Sequence, residues 1–73
     1  MKSEIEKSLS VFIGFPVSVF YAHSSKTGSR FWVCVWFDDS GAGNDVPLSS
    51  FVSSQGMEQS DVELINEFLS IYP

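Results

Sequence analysis

The stretch Phe31–Phe37 constrains the fold most strongly. It contains aromatic residues, valines and one cysteine, carries no charge, and lies between Arg30 and the Asp38–Asp39 pair. Such a run is typical of a central β-strand covered on both faces. Side chains alternate along a strand, so one face carries Phe31, Val33, Val35 and Phe37, and the other carries Trp32, Cys34 and Trp36. A short chain can cover one sheet face with its own helices, so the tryptophans on the second face need a separate explanation.

The size and the single cysteine limit the class of protein. A chain of 73 residues forms one domain, residues 1–73, near the lower size limit for a fold held by one apolar core. Cys34 is the only cysteine, which excludes an internal disulfide and fits a reducing compartment. Neither a signal peptide nor an apolar run of about 18 residues is visible. We therefore expect a cytoplasmic protein without a membrane segment.

Charge is distributed unevenly along the chain. Nine acidic and four basic residues give a formal net charge of −5. All four basic residues lie within positions 1–30, whereas positions 31–73 contain seven acidic residues and no Lys or Arg. Affinity for a phosphate backbone comes mainly from Lys and Arg, so direct nucleic-acid binding is disfavoured. An acidic surface favours a protein partner with a basic surface, or only solubility.

Apolar periodicity predicts a helix at each end of the chain. Ile5, Leu9, Phe12 and Ile13 follow helical spacing up to Gly14, which predicts a helix over 3–13 with a left-handed C-terminal stop. A second helix is predicted over 61–72. Both begin with the Ser-x-x-Glu spacing of a capping box, at Ser3–Glu6 and at Ser60–Glu63.

Three strands are predicted between the helices. They cover 16–22, 31–37 and, more weakly, 46–52, with polar loops at 23–29 and 38–45. The expected fold class is α+β: a small single domain with a three-stranded antiparallel β-meander and N- and C-terminal helices packed on one face, in the order α-β-β-β-α. We expect the covered face to carry Val17, Val19, Val33 and Val35. The strand register is not predictable from the sequence.

An aromatic surface is the first candidate binding site. Phe20, Trp32 and Trp36, with Ala22 and Cys34 between them, are expected to form an apolar surface on the helix-free side of the sheet. Exposed apolar patches on small monomers often mark contact sites, and Trp is enriched among residues that dominate binding energy. The surface could instead be covered by this chain's own loop or helix, or form a dimer seam.

An acidic surface is the second candidate. It comprises three residues of the 38–45 loop and four near the second helix: Asp38, Asp39, Asp45, Glu58, Asp61, Glu63 and Glu67. If the loop and the helix start lie on one side, they form a negative surface that could fill a groove built for nucleic acid, with partner choice set by charge. The alternative is a solvated surface combined with helix capping.

No catalytic, metal or cofactor motif is present. The 38–45 loop lacks the EF-hand spacing, and Gly41–Gly43 lacks the strand-to-helix context of a dinucleotide site. His23 and Cys34 fall on different predicted strands without a third group. We therefore expect no enzymatic activity, cofactor or metal.

The leading hypothesis is a small acidic, non-enzymatic binding protein. By size and charge alone, the chain is comparable with proteins that phages and mobile elements use to block nucleic-acid-handling machines, such as CRISPR effectors or RNA polymerase. It would act as a nucleic-acid mimic on a basic surface, with Trp32 or Trp36 as an apolar anchor. The alternative is a homodimeric interaction or assembly module joined through the tryptophan face.

Overall fold

The fold consists of two helices on one face of a three-stranded sheet, and the computed structural model describes all 73 residues. In chain order the elements are α1 (Lys2–Ile13), β1 (Ser18–His23), β2 (Arg30–Phe37), β3 (Gly43–Pro47), a 3-10 helix (Leu48–Ser53) and α2 (Gln59–Ile71). The predicted α+β class and the α-β-β-β-α order are confirmed. None of the helices is both long enough and apolar enough to span a bilayer.

The register of the sheet decides which side chains share a face. The strands lie in the order β1-β2-β3 and pair antiparallel. Cys34 lies opposite Val19 on one side and Val46 on the other, and Trp32 lies opposite Tyr21. Directly opposed residues share a face, so the aliphatic side of β1 continues into the tryptophan side of β2.

One apolar core lies between the sheet and the helices. The two long helices contribute four residues to it and the 3-10 helix two, and the strand residues in it come from a single face, here called the covered face. The nine core residues are Ile5, Leu9, Val17, Val19, Cys34, Leu48, Phe51, Ile65 and Phe68. Both long helices thus pack on one side of the sheet, as predicted.

The expectation about the covered face was right for Val17 and Val19, which are buried, and wrong for the central strand. Trp32 and Trp36 are partly buried and pack against the core, whereas Val33 and Val35 lie on the helix-free side. The Trp32 indole lies 4.9 Å from the Phe68 ring and donates a 2.7 Å hydrogen bond to the Tyr72 carbonyl. A buried indole removes more apolar area from water than a valine, and its N–H needs an acceptor. The covered side of the sheet supplies the apolar contact through Phe68 and the acceptor through the Tyr72 carbonyl.

The third strand begins earlier than the sequence pattern predicted. Gly43–Asp45 was expected to be loop but pairs with β2, and the predicted 46–52 strand stops at Pro47. From Leu48 the chain turns into the 3-10 helix, in which residues three apart lie on the same side. Leu48 and Phe51 have that spacing and are both buried, so core packing overrides the extended conformation.

The predicted capping boxes do not form. Neither α1 nor α2 has a side-chain hydrogen bond at its N-terminus, although Gly14 adopts the predicted left-handed stop with φ 90°. A Glu6 carboxylate oxygen instead accepts a 2.8 Å hydrogen bond from the Val19 amide, and Ser10 Oγ accepts one of the same length from the Val17 amide. These two side chains fasten α1 along the outer edge of β1.

Candidate protein-interaction surface

The helix-free side of the sheet exposes three phenylalanine rings. Phe20 is 53% exposed, Phe31 38% and Phe37 65%. Val33 and Val35 lie between them on the same side of β2 and are partly buried. We call these five residues the phenylalanine face. They form a continuous apolar surface that no element of the chain covers.

The neighbours of the phenylalanine face on β3 are small or polar. Pro47 lies opposite Val33, Asp45 opposite Val35 and Gly43 opposite Phe37. A Cβ atom at residue 43 would make an ordinary van der Waals contact of 3.4 Å with the Phe37 ring. This ring therefore lies against the backbone of β3 at one end of the face.

Asp38 organises the turn after β2. Its carboxylate accepts hydrogen bonds from the Ser40 and Ala42 amides at 3.0 and 3.1 Å, and from the side chains of Ser40 and Asn44. The hydrogen bond from the Ser40 hydroxyl, followed by those from Asn44 and the two amides, lowers the pKa of Asp38 below its usual value. Part of the predicted acidic site is therefore structural.

Asp39 and Asp45 are the carboxylates of this region that are free to contact a partner. Both are exposed and neither side chain accepts a hydrogen bond within the chain. Asp45 lies on the side of β3 that continues the phenylalanine face. Asp39 lies in the turn between β2 and β3, directly after Asp38. Together with Asp38 they place negative charge at the Phe37 end of the face. These three residues are called the acidic turn.

The other predicted acidic residues lie in the helical layer. Glu58 and Asp61 line an open cleft of about 400 Å³ that also contains Lys7, and Asp61 accepts a 2.9 Å hydrogen bond from Ser8. Glu63 and Glu67 are exposed on α2. Asp45 faces away from α2, across the sheet, so the structure does not join it to the helix carboxylates in one negative surface.

The predicted aromatic surface is divided between the two faces. Phe20 lies beside Val33 on the helix-free side, whereas Trp32 and Trp36 lie on the covered face. Sequence reasoning missed Phe31 and Phe37, which it had placed beneath the helices. The one sequence signal for the exposed side was Ser18, a polar residue on the same side of β1 as Phe20.

The covered tryptophan belongs to a chain of aromatic contacts. Trp32 lies 4.9 Å from both Tyr21 and Phe68, and Phe68 lies 5.1 Å from Tyr72. Trp32, Phe68 and Tyr72 line a second open cleft of about 320 Å³ together with Met1 and Lys2. The rings contact one another and the core, which gives Trp32 a packing role.

The Cys34 thiol and the His23 imidazole lie far apart in the sheet. Cys34 is fully buried opposite Val19, whereas His23 lies opposite Arg30 at the far end of β1. Burial, followed by the negative charge of Glu6, raises the pKa of the Cys34 thiol to about 12. A thiol so rarely ionised is a poor nucleophile. No group of three or more His, Cys, Asp or Glu side chains is placed to hold a metal ion.

Comparison with known proteins finds no match. No family model matches the chain, and neither a curated protein nor a solved structure matches it.

Proposed function

We propose that this protein is a non-enzymatic binding domain that docks on another protein through the phenylalanine face and the acidic turn. The exposure of Phe20, Phe31 and Phe37 on one uncovered sheet face carries the proposal. Contiguous apolar patches on small domains usually mark contact sites. Aromatic anchors with charges at the rim are the usual composition of a protein–protein interface.

Charge defines the kind of partner. The acidic turn lies at the Phe37 end of the apolar surface, so the complementary partner has an apolar patch bordered by Lys or Arg. Charge complementarity of this kind raises association rates and excludes wrong partners. Surfaces rich in Lys and Arg are characteristic of proteins that handle nucleic acid. A domain bound there would exclude the nucleic acid, which is the action of an inhibitor of the phage or mobile-element type.

Phenylalanine takes the anchoring role in this proposal. Trp32 and Trp36 face the helices, so they support the sheet from behind. Phe37, the most exposed of the three rings, lies next to the acidic turn. An anchor and a charged rim at the same end of the sheet can engage one compact site on the partner.

Site-specific photocrosslinking in cells tests whether this face binds a partner. A photoreactive phenylalanine analogue replaces Phe37, and a control chain carries it at Val11, which is 81% exposed on α1. We expect one protein other than this one to be captured from position 37 and not from position 11. Capture of the same proteins from both positions, or of none from position 37, would contradict the proposal.

Charge reversal with the purified partner tests the acidic turn. D39K/D45K should weaken binding at least tenfold while leaving the melting temperature nearly unchanged. Asp38 is left intact because its hydrogen bonds hold the turn. E63K/E67K on α2 changes the net charge by the same amount and should bind like the wild type. Equal loss in both variants would show that overall charge, and not the acidic turn, governs binding.

Competition with nucleic acid tests the inhibitory role. If the partner binds nucleic acid, saturating amounts of this protein should displace a labelled oligonucleotide from it. A stable ternary complex would contradict inhibition by occupation of the nucleic-acid surface.

A further inference from the structure

Charges of opposite sign lie at opposite ends of the phenylalanine face. Lys26 lies in the loop between β1 and β2, and Arg30 is the first residue of β2. Both are exposed at the end of the sheet where β2 begins, and we call these two residues the basic end. The acidic turn lies at the other end of β2. The middle of the face is therefore apolar, and its two ends along the strands carry opposite charges.

The edges of the sheet are poorly suited to pairing with another strand. At the start of the β1 edge, the outward amides of Val17 and Val19 already donate to Ser10 and Glu6. On β3, the other edge, Asp45 and Pro47 are residues of the kind that discourage strand addition. The open face is therefore better suited to association than either edge.

We infer that the free protein associates with a second copy of itself, phenylalanine face to phenylalanine face, with the strands of the two copies antiparallel. The two copies are related by a two-fold axis that lies midway between the two sheets and runs perpendicular to the strands. Rotation about this axis reverses the strand direction. This operation places the basic end of each copy against the acidic turn of the other. A self-complementary contact of this kind is isologous, so the same patch serves both copies.

The size of the face makes this dimer weak. A sheet of three strands, the longest with eight residues, covers roughly 400 Å² in projection at ordinary strand spacing. A standard stable interface buries about 800 Å² on each partner. The contact is therefore small, which favours a dimer that forms with rising concentration and separates on dilution.

The inference goes beyond the proposed function, because it requires no foreign partner. Both use the phenylalanine face, so the two complexes exclude each other. Dimerisation would keep the exposed rings out of water until a partner of higher affinity displaces the second copy.

Sedimentation analysis with paired charge variants tests the dimer and its orientation. The wild type is measured from about 1 μM to about 1 mM, the range of weak association. D39K/D45K makes both ends of the face basic, and K26E/R30E makes both ends acidic. Each variant alone should dimerise at least tenfold more weakly than the wild type, because like charges then meet. An equimolar mixture of the two should recover a dimer.

Apolar variants complete the experiment. F37S should also weaken the dimer at least tenfold, whereas V11S, which removes an exposed apolar residue from α1, should dimerise like the wild type. Circular dichroism verifies that each variant is folded.

Three outcomes would overturn the inference: a wild type that is monomeric throughout, charge variants that dimerise as well as the wild type, or a mixture that stays monomeric. A monomeric wild type would leave photocrosslinking from position 37 to decide the foreign-partner proposal independently.

Discussion

Removing one aromatic ring from each side of the sheet should have very unequal effects on stability. Trp32 lies on the covered face, contacts Phe68 and donates to the Tyr72 carbonyl. Phe37 lies on the opposite face and is 65% exposed. Trp32→Ala and Phe37→Ala therefore compare a ring that supports the core with a ring that faces solvent.

The expected losses of stability follow from the apolar area that each ring buries. A Trp side chain that is mostly buried removes about 150 Å² from water, worth roughly 3–4 kcal/mol at about 25 cal/mol/Å². The indole hydrogen bond adds about 1 kcal/mol. Only about a third of the Phe37 ring is covered, so its removal should cost roughly 1–1.5 kcal/mol. The expected difference is at least about 2 kcal/mol.

Urea unfolding followed by circular dichroism measures both variants. The protein concentration is kept in the low micromolar range, so that association does not contribute to the apparent stability. A domain of this size has little stability to lose, so Trp32→Ala is expected to be largely unfolded even without urea. Trp32→Phe keeps a ring but loses the indole hydrogen bond, and should cost about 1–2 kcal/mol. If Phe37→Ala costs as much as Trp32→Ala, the assignment of the faces is wrong.

Three further predictions concern single polar or ionisable side chains. Glu6→Ala should destabilise the protein by about 1.5–3 kcal/mol, because it leaves the buried Val19 amide without its acceptor; Glu4→Ala, which loses only a 3.6 Å contact with the terminal amine, should cost less than about 0.5 kcal/mol in the same urea titration. The pKa of Asp38 is lower in the folded protein than in the unfolded chain, so the ionised carboxylate stabilises the fold above the unfolded pKa, and this stabilisation is lost as the pH falls through the folded pKa. The difference in unfolding free energy between the wild type and Asp38→Asn should therefore be larger at pH 7 than at pH 3. A difference that does not change with pH would refute this. Cys34 should not react with a thiol reagent at pH 8 in the folded state but should react fully in urea, because the native thiol is buried with a pKa of about 12; rapid native labelling would contradict its burial.

The elements with strong periodicity were predictable from the sequence. The two helices and the central strand were each placed to within two residues, because one amphipathic stripe or one long apolar run leaves few alternatives. The left-handed stop at Gly14 was also predictable, since Pro16 follows and glycine adopts positive φ without strain.

The sheet register could not be predicted for a physical reason. Alternation determines which residues of one strand share a face, but a slip of one residue changes which face of the next strand joins them. Both faces of β2 are apolar, so hydrophobicity could not distinguish Trp32 from Val33 as the buried side. The error about the covered face of β2 follows from this ambiguity.

Local signals failed where tertiary contacts compete with them. Gly43–Asp45 has loop composition but is held as a strand by pairing with β2. Ser3 and Glu6 have capping-box spacing, yet Glu6 bonds the Val19 amide across to β1. The acidic residues could be counted from the sequence, but only the structure shows that Asp38 is committed to its turn and that Asp45 borders the phenylalanine face.

Fluorine NMR is the most direct test of the claim that the phenylalanine face is the binding surface. The protein is labelled with 4-fluorophenylalanine and 5-fluorotryptophan, and the spectra are compared between dilute and concentrated samples, or without and with a captured partner. The resonances of Phe20, Phe31 and Phe37 should shift or broaden, while those of Phe51, Phe68 and both tryptophans stay in place. Movement of the tryptophan resonances with the three exposed phenylalanines unchanged would contradict the account.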